Sequence, residues 1–189
     1  ILENIKRVEE AGADGIMINF AAVGYSVLKM AAEQTKLPIL GQAAGAGMYY
    51  EGMLNGMASP LAVGRLARIA GADIIMINTP YGGYPLSYQK YMQTLIALTM
   101  PYYNIKEVLP SIGGGVHPGM VEKYIKEAGK DIVLAAGGAV LGHPGGAKAG
   151  AKAMRQAIDI VISGEEFEVA AKEKKELTEA LKLWNYVKL

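Results

Sequence analysis

The sequence predicts an α/β fold in which helices and parallel strands alternate along the chain. Short apolar runs, typical of strands buried on both faces, recur between segments whose apolar residues have helical spacing. One helix-turn-strand unit occurs twice, because residues 11–19 and 70–78 are identical except at Gly15 and Ile74. Glycines cluster directly after the last apolar runs, where parallel strands end.

Each element follows from its local pattern. Strands are predicted at residues 15–19, 37–41, 74–78, 108–112 and 132–136. Helices are predicted at residues 1–12, 24–34, 59–70, 87–100, 118–128 and 146–162, with a charge-rich surface helix at about 165–182. Ser59 followed by Pro60 predicts an N-cap and a first helical residue.

Strict alternation of strands and helices predicts a parallel sheet with right-handed crossovers. Two architectures fit: the last five βα units of a (β/α)8 TIM barrel, or a five-stranded doubly wound sheet. Because the chain opens in mid-pattern with Ile1, we expect the barrel units.

Composition excludes several classes of function. The chain has 19 Lys and Arg against 18 Asp and Glu, so its net charge of +1 gives no field that would attract nucleic acid or an anionic membrane. It contains no run of about 18 apolar residues, the length needed to span a bilayer. It has no Cys, which excludes disulfides and thiolate chemistry and favours a cytoplasmic location.

Candidate ligand contacts lie at the C-terminal ends of the strands, where parallel α/β folds bind their ligands. Asn19 and Gln42 are the polar residues that end the first two strands, and we expect them to bind substrate. Asp14, Asp73 and Asp131 precede strands and therefore lie at the opposite edge. No metal ligands and no catalytic acid or base can be assigned from this pattern.

Glycine-rich turns follow the last two predicted strands, at residues 113–115 and 137–138. Glycine allows backbone N–H groups to approach an oxyanion, so these turns predict a phosphate site. The alternative is that the glycines only relieve crowding in tight turns. His117 and His143 each precede Pro; either could bond to local backbone and fix a loop, and His117 is also a candidate substrate contact.

Two runs resemble the large subunit of ribulose-bisphosphate carboxylase: Gly-Gly-Gly-Val-His-Pro-Gly at residues 113–119, and Ala-Gly-Gly-Ala-Val-Leu-Gly-His-Pro at residues 136–144. The resemblance extends over roughly residues 12–162. It implies that residues 1–162 are βα units 4–8 of that family's barrel and that residues 163–189 form a C-terminal helical extension.

The same resemblance implies a phosphate-binding role for four glycines, through their backbone amides: Gly114, Gly115, Gly137 and Gly138. It also implies Mg²⁺, bound through a carbamylated Lys, an Asp and a Glu that lie outside this chain, and a homodimer with its active site at the subunit boundary. We therefore expect the chain alone to be inactive.

The chain departs from the carboxylases at positions that serve a second phosphate and carboxylation. Residues 41–42 are Gly-Gln where the carboxylases have His-Arg, and Gly45 and Met76 each replace a His. Gly113 replaces a Ser, and residues 79–88 lack the Lys of the mobile loop. These departures favour the RuBisCO-like branch, which uses enolisation chemistry on monophosphates.

Members of that branch include the 2,3-diketo-5-methylthiopentyl-1-phosphate enolase of methionine salvage and isomerases of related sugar phosphates. The resemblance thus implies an Mg²⁺-dependent enolase or isomerase acting on a small, sugar-like monophosphate. Two alternatives remain at this point: an archaeal-type carboxylase, and a phosphate-binding half-barrel without catalytic activity.

Overall fold

The computed structural model describes residues 1–54 and 56–188. Its strands are β1 (Ile16–Asn19), β2 (Ile39–Gln42), β3 (Ile74–Asn78), β4 (Leu109–Gly113) and β5 (Val133–Ala135). They form one parallel sheet whose strand order follows the chain from β1 to β5, which confirms the predicted α/β class. A doubly wound sheet reverses its strand order at a switch point, and this sheet has no reversal. The order therefore favours consecutive βα units of the barrel type.

Helices occupy the connections between these strands and the region after them. They are α1 (Leu2–Glu10), α2 (Phe20–Val23), α3 (Tyr25–Gln34), α4 (Gly47–Tyr50), α5 (Leu66–Ile69), α6 (Tyr88–Thr99), α7 (Val121–Ala128), α8 (Gly138–Leu141), α9 (Gly146–Ser163), α10 (Phe167–Ala170) and α11 (Lys175–Trp184). A π-helical segment, Pro60–Arg65, leads into α5. Short 3-10 turns precede α7 and follow α10. No helix in the described part of the chain is both long and apolar enough to cross a membrane.

The chain forms two compact units. The first consists of Ile1–Pro80 and Leu86–Ser111, and the second of Tyr81–Pro85 and Ile112–Leu189. Each has its own buried apolar residues, such as Phe20 in the first unit. That the barrel units end at residue 162, and that a C-terminal helical extension begins at residue 163, stays a prediction.

In the first unit, Asp73 joins three strands at their N-terminal ends. Its carboxylate accepts a hydrogen bond from the Ile39 N–H at 2.9 Å, and its own N–H donates to the Ile39 carbonyl at 3.0 Å. Its carbonyl accepts from the Leu109 N–H at 3.0 Å. Asp73 therefore has a structural role, as its position before a strand predicts.

Arg68 is a buried cation, with 2% of its surface exposed. Its guanidinium donates to the carbonyl oxygens of Lys106 at 2.7 Å, Met100 at 2.7 Å, Ile105 at 2.8 Å and Ala97 at 3.3 Å. These bonds compensate for the cost of removing the charge from water. They also fix the irregular connection between α6 and β4.

Ser59 directly precedes the segment that Pro60 begins, as predicted, but its side chain does not cap it. Ser59 has helical dihedral angles, φ −55° and ψ −39°, and its side chain makes no capping bond. It is 1% exposed, and its hydroxyl accepts a bond from the Thr94 hydroxyl at 3.4 Å. Tertiary burial has overridden the local capping signal, although Pro60 begins the helical segment as predicted.

The single surface helix predicted at 165–182 is also wrong, because two helices and a 3-10 turn occupy this region. In one continuous helix, the residues that share the face of buried Ala171 three and four positions later would be Lys174 and Lys175. The next buried residue, however, is Leu177. A break at Lys174, which is extended, lets both apolar sets be buried. The ion pairs of this region connect it to other segments, as between Glu176 and Lys152 at 2.7 Å.

Candidate functional site

The second unit contains a cleft of about 430 Å³. Its lining includes five residues that the sequence predicts as ligand contacts: Gly114, Gly115, Gly137, Gly138 and His117. The turns after β4 and β5 therefore meet at one cavity. The structure brings the predicted phosphate contacts together, and phosphate binding itself stays a prediction.

The turn after β4 needs glycine for its backbone conformation. Gly114 and Gly115 have φ values of 86° and 83°, in the left-handed region that side chains rarely adopt. A Cβ on Gly114 would meet nothing within 4 Å, whereas a Cβ on Gly115 would lie 2.8 Å from the Gly82 Cα. Crowding thus explains glycine at only one of these two positions.

The turn after β5, in contrast, does not require glycine for its backbone conformation. Gly137 has a φ of −85°, and a Cβ on either Gly137 or Gly138 would meet nothing within 4 Å. Among the described residues, the N–H groups of both glycines donate to no backbone carbonyl. Neither backbone strain nor crowding explains these glycines, and their N–H groups remain available at the cleft. A ligand that approaches the backbone closely would account for both observations.

The loop that begins at Tyr81 forms a third wall of the cleft. The Tyr81 hydroxyl donates to a Glu127 carboxylate oxygen at 2.7 Å, and the Lys123 ammonium lies 4.9 Å from its ring centroid. Lys123 and Glu127 also form an ion pair of 3.0 Å. Tyr81 is thus held on one face of α7. Beyond it, Gly82 packs so closely on Gly114 that a Cβ would overlap the Gly114 carbonyl oxygen.

His117 and His143 differ in their hydrogen bonds. In His143, Nδ1 accepts from the Gly145 N–H at 2.9 Å, so Nε2 carries the proton and donates to the Glu176 carbonyl at 2.9 Å. The prediction of a loop-fixing histidine is confirmed there. His117 Nδ1 is buried and has no partner among the described residues. Its ring lies against that of Trp184, with centroids 6.5 Å apart and planes at 23°.

Burial lowers the pKa of His117 below its ordinary value of 6.5. The imidazole is therefore neutral at neutral pH and has one N–H donor and one acceptor nitrogen. In that form it can donate one hydrogen bond to a ligand without adding charge to the cleft.

Asn19 and Gln42 end β1 and β2, where they are paired in register in the first unit. The side-chain Oδ1 of Asn19 accepts from the N–H groups of Ala21 at 3.1 Å and Ala22 at 3.3 Å and so caps α2. Its amide nitrogen donates to the Ala44 carbonyl at 3.1 Å, and the Gln42 side chain accepts from the Ala44 N–H at 2.5 Å. These bonds stabilise the strand-end turns, and the predicted substrate role of both residues stays a prediction.

The described residues do not fit a magnesium site. Across residues 1–54 and 56–188, no group of three or more His, Asp or Glu side chains could hold a metal ion. The lining of the cleft, moreover, contains no carboxylate.

The family model for the ribulose bisphosphate carboxylase large chain, catalytic domain, matches residues 1–184. The chain belongs to this family. It is 42% identical over 166 residues to a ribulose bisphosphate carboxylase-like protein of Archaeoglobus fulgidus, covering 87% of this chain and 38% of that protein. It is 37% identical over 186 residues to the 2,3-diketo-5-methylthiopentyl-1-phosphate enolase of Bacillus cytotoxicus, covering 97% of this chain and 44% of that enzyme.

The fold of this chain is similar to the solved structure of a rubisco-like protein (MtnW) from Alicyclobacillus acidocaldarius. The TM-score is 0.91 at 36% identity, covering 97% of this chain and 46% of the other. The chain thus spans between 38% and 44% of the length of the two curated relatives described above.

Proposed function

We propose that this chain supplies the phosphate-binding part of a RuBisCO-like enolase or isomerase that acts on a small, sugar-derived monophosphate. The observation that carries this proposal is the cleft, in which Gly137 and Gly138 present N–H groups without carbonyl partners beside the strained turn at Gly114 and Gly115. The lining of the cleft contains no Lys or Arg. Its attraction for an anion would come from N–H dipoles, which suits one phosphate group.

Binding the phosphate would orient the rest of the substrate. Enolisation removes a proton from the carbon next to a carbonyl, and it requires that carbon to be held at a fixed position. Interactions with a remote phosphate can supply this positioning. Neutral His117 would add one directional hydrogen bond.

The family resemblance implies that a Lys, an Asp and a Glu outside this chain would hold Mg²⁺, which would supply electrostatic stabilisation during proton abstraction. The described residues offer no ligand set for the metal. Magnesium dependence and a homodimeric assembly are therefore further parts of the proposal, supported by the family resemblance. A cytoplasmic location is another part, favoured by the lack of Cys.

Three features argue against carboxylation of a bisphosphate. An added Cβ on Gly41 would lie 3.3 Å from the side chains of both Ala72 and Phe20, so a His at this position would require these neighbours to shift. Gln42, a neutral amide, stands where the carboxylases have an Arg. Residues 79–88 contain no Lys. A second phosphate would lack cationic partners at these positions.

Two assays on the full-length parent protein, which would supply the barrel units and metal ligands that the resemblance places outside this chain, test the proposal. With 2,3-diketo-5-methylthiopentyl 1-phosphate, or with a related sugar monophosphate, we expect enol or isomer formation followed by ultraviolet absorbance or NMR. With ribulose bisphosphate and radiolabelled bicarbonate, we expect no incorporation of label. Significant incorporation would instead support the archaeal-type carboxylase. Tight phosphate binding without turnover of any monophosphate would support the non-catalytic alternative.

A further inference from the structure

Trp184, the last residue of α11, lines the same cleft as the four glycines. Its indole lies against the His117 imidazole, and its Cζ2 atom would be 3.7 Å from a Cβ placed on Gly142. Trp184 thus lies beside His117, a predicted ligand contact, at the wall of the same cleft, although it belongs to a helix far along the chain.

The backbone that follows Trp184 is held in place closely. Asn185 has a φ of 54°, a value that asparagine tolerates better than most residues, and it ends α11 at this point. The chain then runs along Gly119: the Val187 N–H donates to the Gly119 carbonyl at 3.1 Å, and a Cβ on Gly119 would overlap the Asn185 carbonyl oxygen.

Tyr186 provides a second anchor for this segment. Its ring stacks on that of Phe167, with centroids 4.6 Å apart and planes at 12°. Its hydroxyl donates to the Glu122 carboxylate on α7. The position of Trp184 is therefore fixed from the C-terminal side by contacts that lie outside the lining of the cleft.

We propose that Trp184 is a positioning residue of the anion cleft and that the anchoring segment, residues 185–187, holds it against His117. The proposal rests on the proposed phosphate-binding function. The indole covers one side of the imidazole and excludes water from that wall. Hydrogen bonds from N–H groups to an anion are stronger where water is excluded, so loss of the indole weakens binding without removing any direct contact.

Titration of the protein with inorganic phosphate tests this proposal, followed in parallel by calorimetry and by tryptophan fluorescence. Trp184 is the only tryptophan of the chain, so its emission reports on this cleft. We expect the emission to change with phosphate and to saturate with the dissociation constant that calorimetry gives. Trp184→Ala should weaken binding roughly tenfold, about the effect of one lost hydrogen bond, and Trp184→Phe should restore most of the affinity.

Two further variants separate positioning from a general loss of structure. Gly119→Ala displaces the anchoring segment without altering the cleft lining, and it should weaken phosphate binding and shift the Trp184 emission. Lys188→Ala removes an exposed ion pair with Glu168 next to the anchoring segment. It should leave the phosphate affinity and the Trp184 emission unchanged.

The outcomes distinguish this inference from the proposed function. Phosphate binding that leaves the emission of Trp184 unchanged, and that Trp184→Ala and Gly119→Ala do not weaken, would overturn the inference and leave the phosphate site intact. No calorimetric binding of phosphate to the unaltered protein would overturn the phosphate site and the inference together.

Discussion

Gly82 and Gly83 are neighbouring glycines in one loop, and the structure predicts opposite results for the same substitution. An Ala Cβ at residue 82 would overlap the Gly114 carbonyl oxygen and lie 2.5 Å from its carbon. At residue 83 it would meet nothing within 4 Å. Neither glycine has a positive φ, so backbone strain does not distinguish the two sites.

The size of the effect follows from what must move. The atoms facing Gly82 belong to the backbone of a turn, which cannot rotate away as a side chain would, so Gly82→Ala should cost about 1–3 kcal/mol. Gly83→Ala has no clash and reduces the freedom of the unfolded chain, which should stabilise the protein by about 0.4–1 kcal/mol. For a chain of this length, each 1 kcal/mol corresponds to roughly 2–4 °C in the melting temperature.

Differential scanning calorimetry of the two variants and the unaltered protein measures this difference directly. We expect Gly82→Ala to melt lower than Gly83→Ala by several degrees and to bind inorganic phosphate more weakly, because the displaced loop forms one wall of the cleft. Equal melting temperatures together with equal phosphate affinities would show that Gly82 does not pack on Gly114 as described.

Two further predictions concern stability. Arg68→Met leaves four carbonyl oxygens without their donor and should lower the free energy of unfolding in urea by about 3 kcal/mol. The control Arg7→Met, which removes an exposed ion pair, should change it by less than about 0.5 kcal/mol, and similar losses in both variants would contradict the role given to Arg68. Hydrogen bonds from Tyr186 and then Lys126 lower the pKa of Glu122 below 4.5, so its stabilising contribution is present above pH 4.5 and lost as the pH falls through the lower folded-state value. Glu122→Gln should therefore flatten the acid limb of a plot of melting temperature against pH, and an unchanged slope would refute this assignment.

The features that sequence predicted well depend on residues close together in the chain. The repeated unit ending at Asn19 and Asn78 forms a strand in both copies, since a short apolar run after a helix stop leaves few alternatives. The turns at residues 113–115 and 137–138 also follow the predicted strands directly, and their convergence on one cleft follows from parallel strand order.

The missed features depend on contacts between distant residues. Nothing near Trp184 in the sequence indicates that it packs on His117, and the anchoring of Tyr81 on α7 is equally non-local. Ser59 carries a local capping signal that burial against α6 overrides. Local propensity is a weak guide wherever a side chain becomes fully buried.

The bonds of Arg68 have a consequence for how the first unit tolerates sequence change. All four acceptors are main-chain carbonyls, so the hydrogen bonds of the guanidinium depend on the backbone conformation of residues 97–106 and not on the side chains there. Substitutions there that keep the backbone path would leave every one of these bonds intact. An insertion or deletion would move several carbonyls away from a buried charge at once. The connection is therefore free to vary in composition but constrained in length.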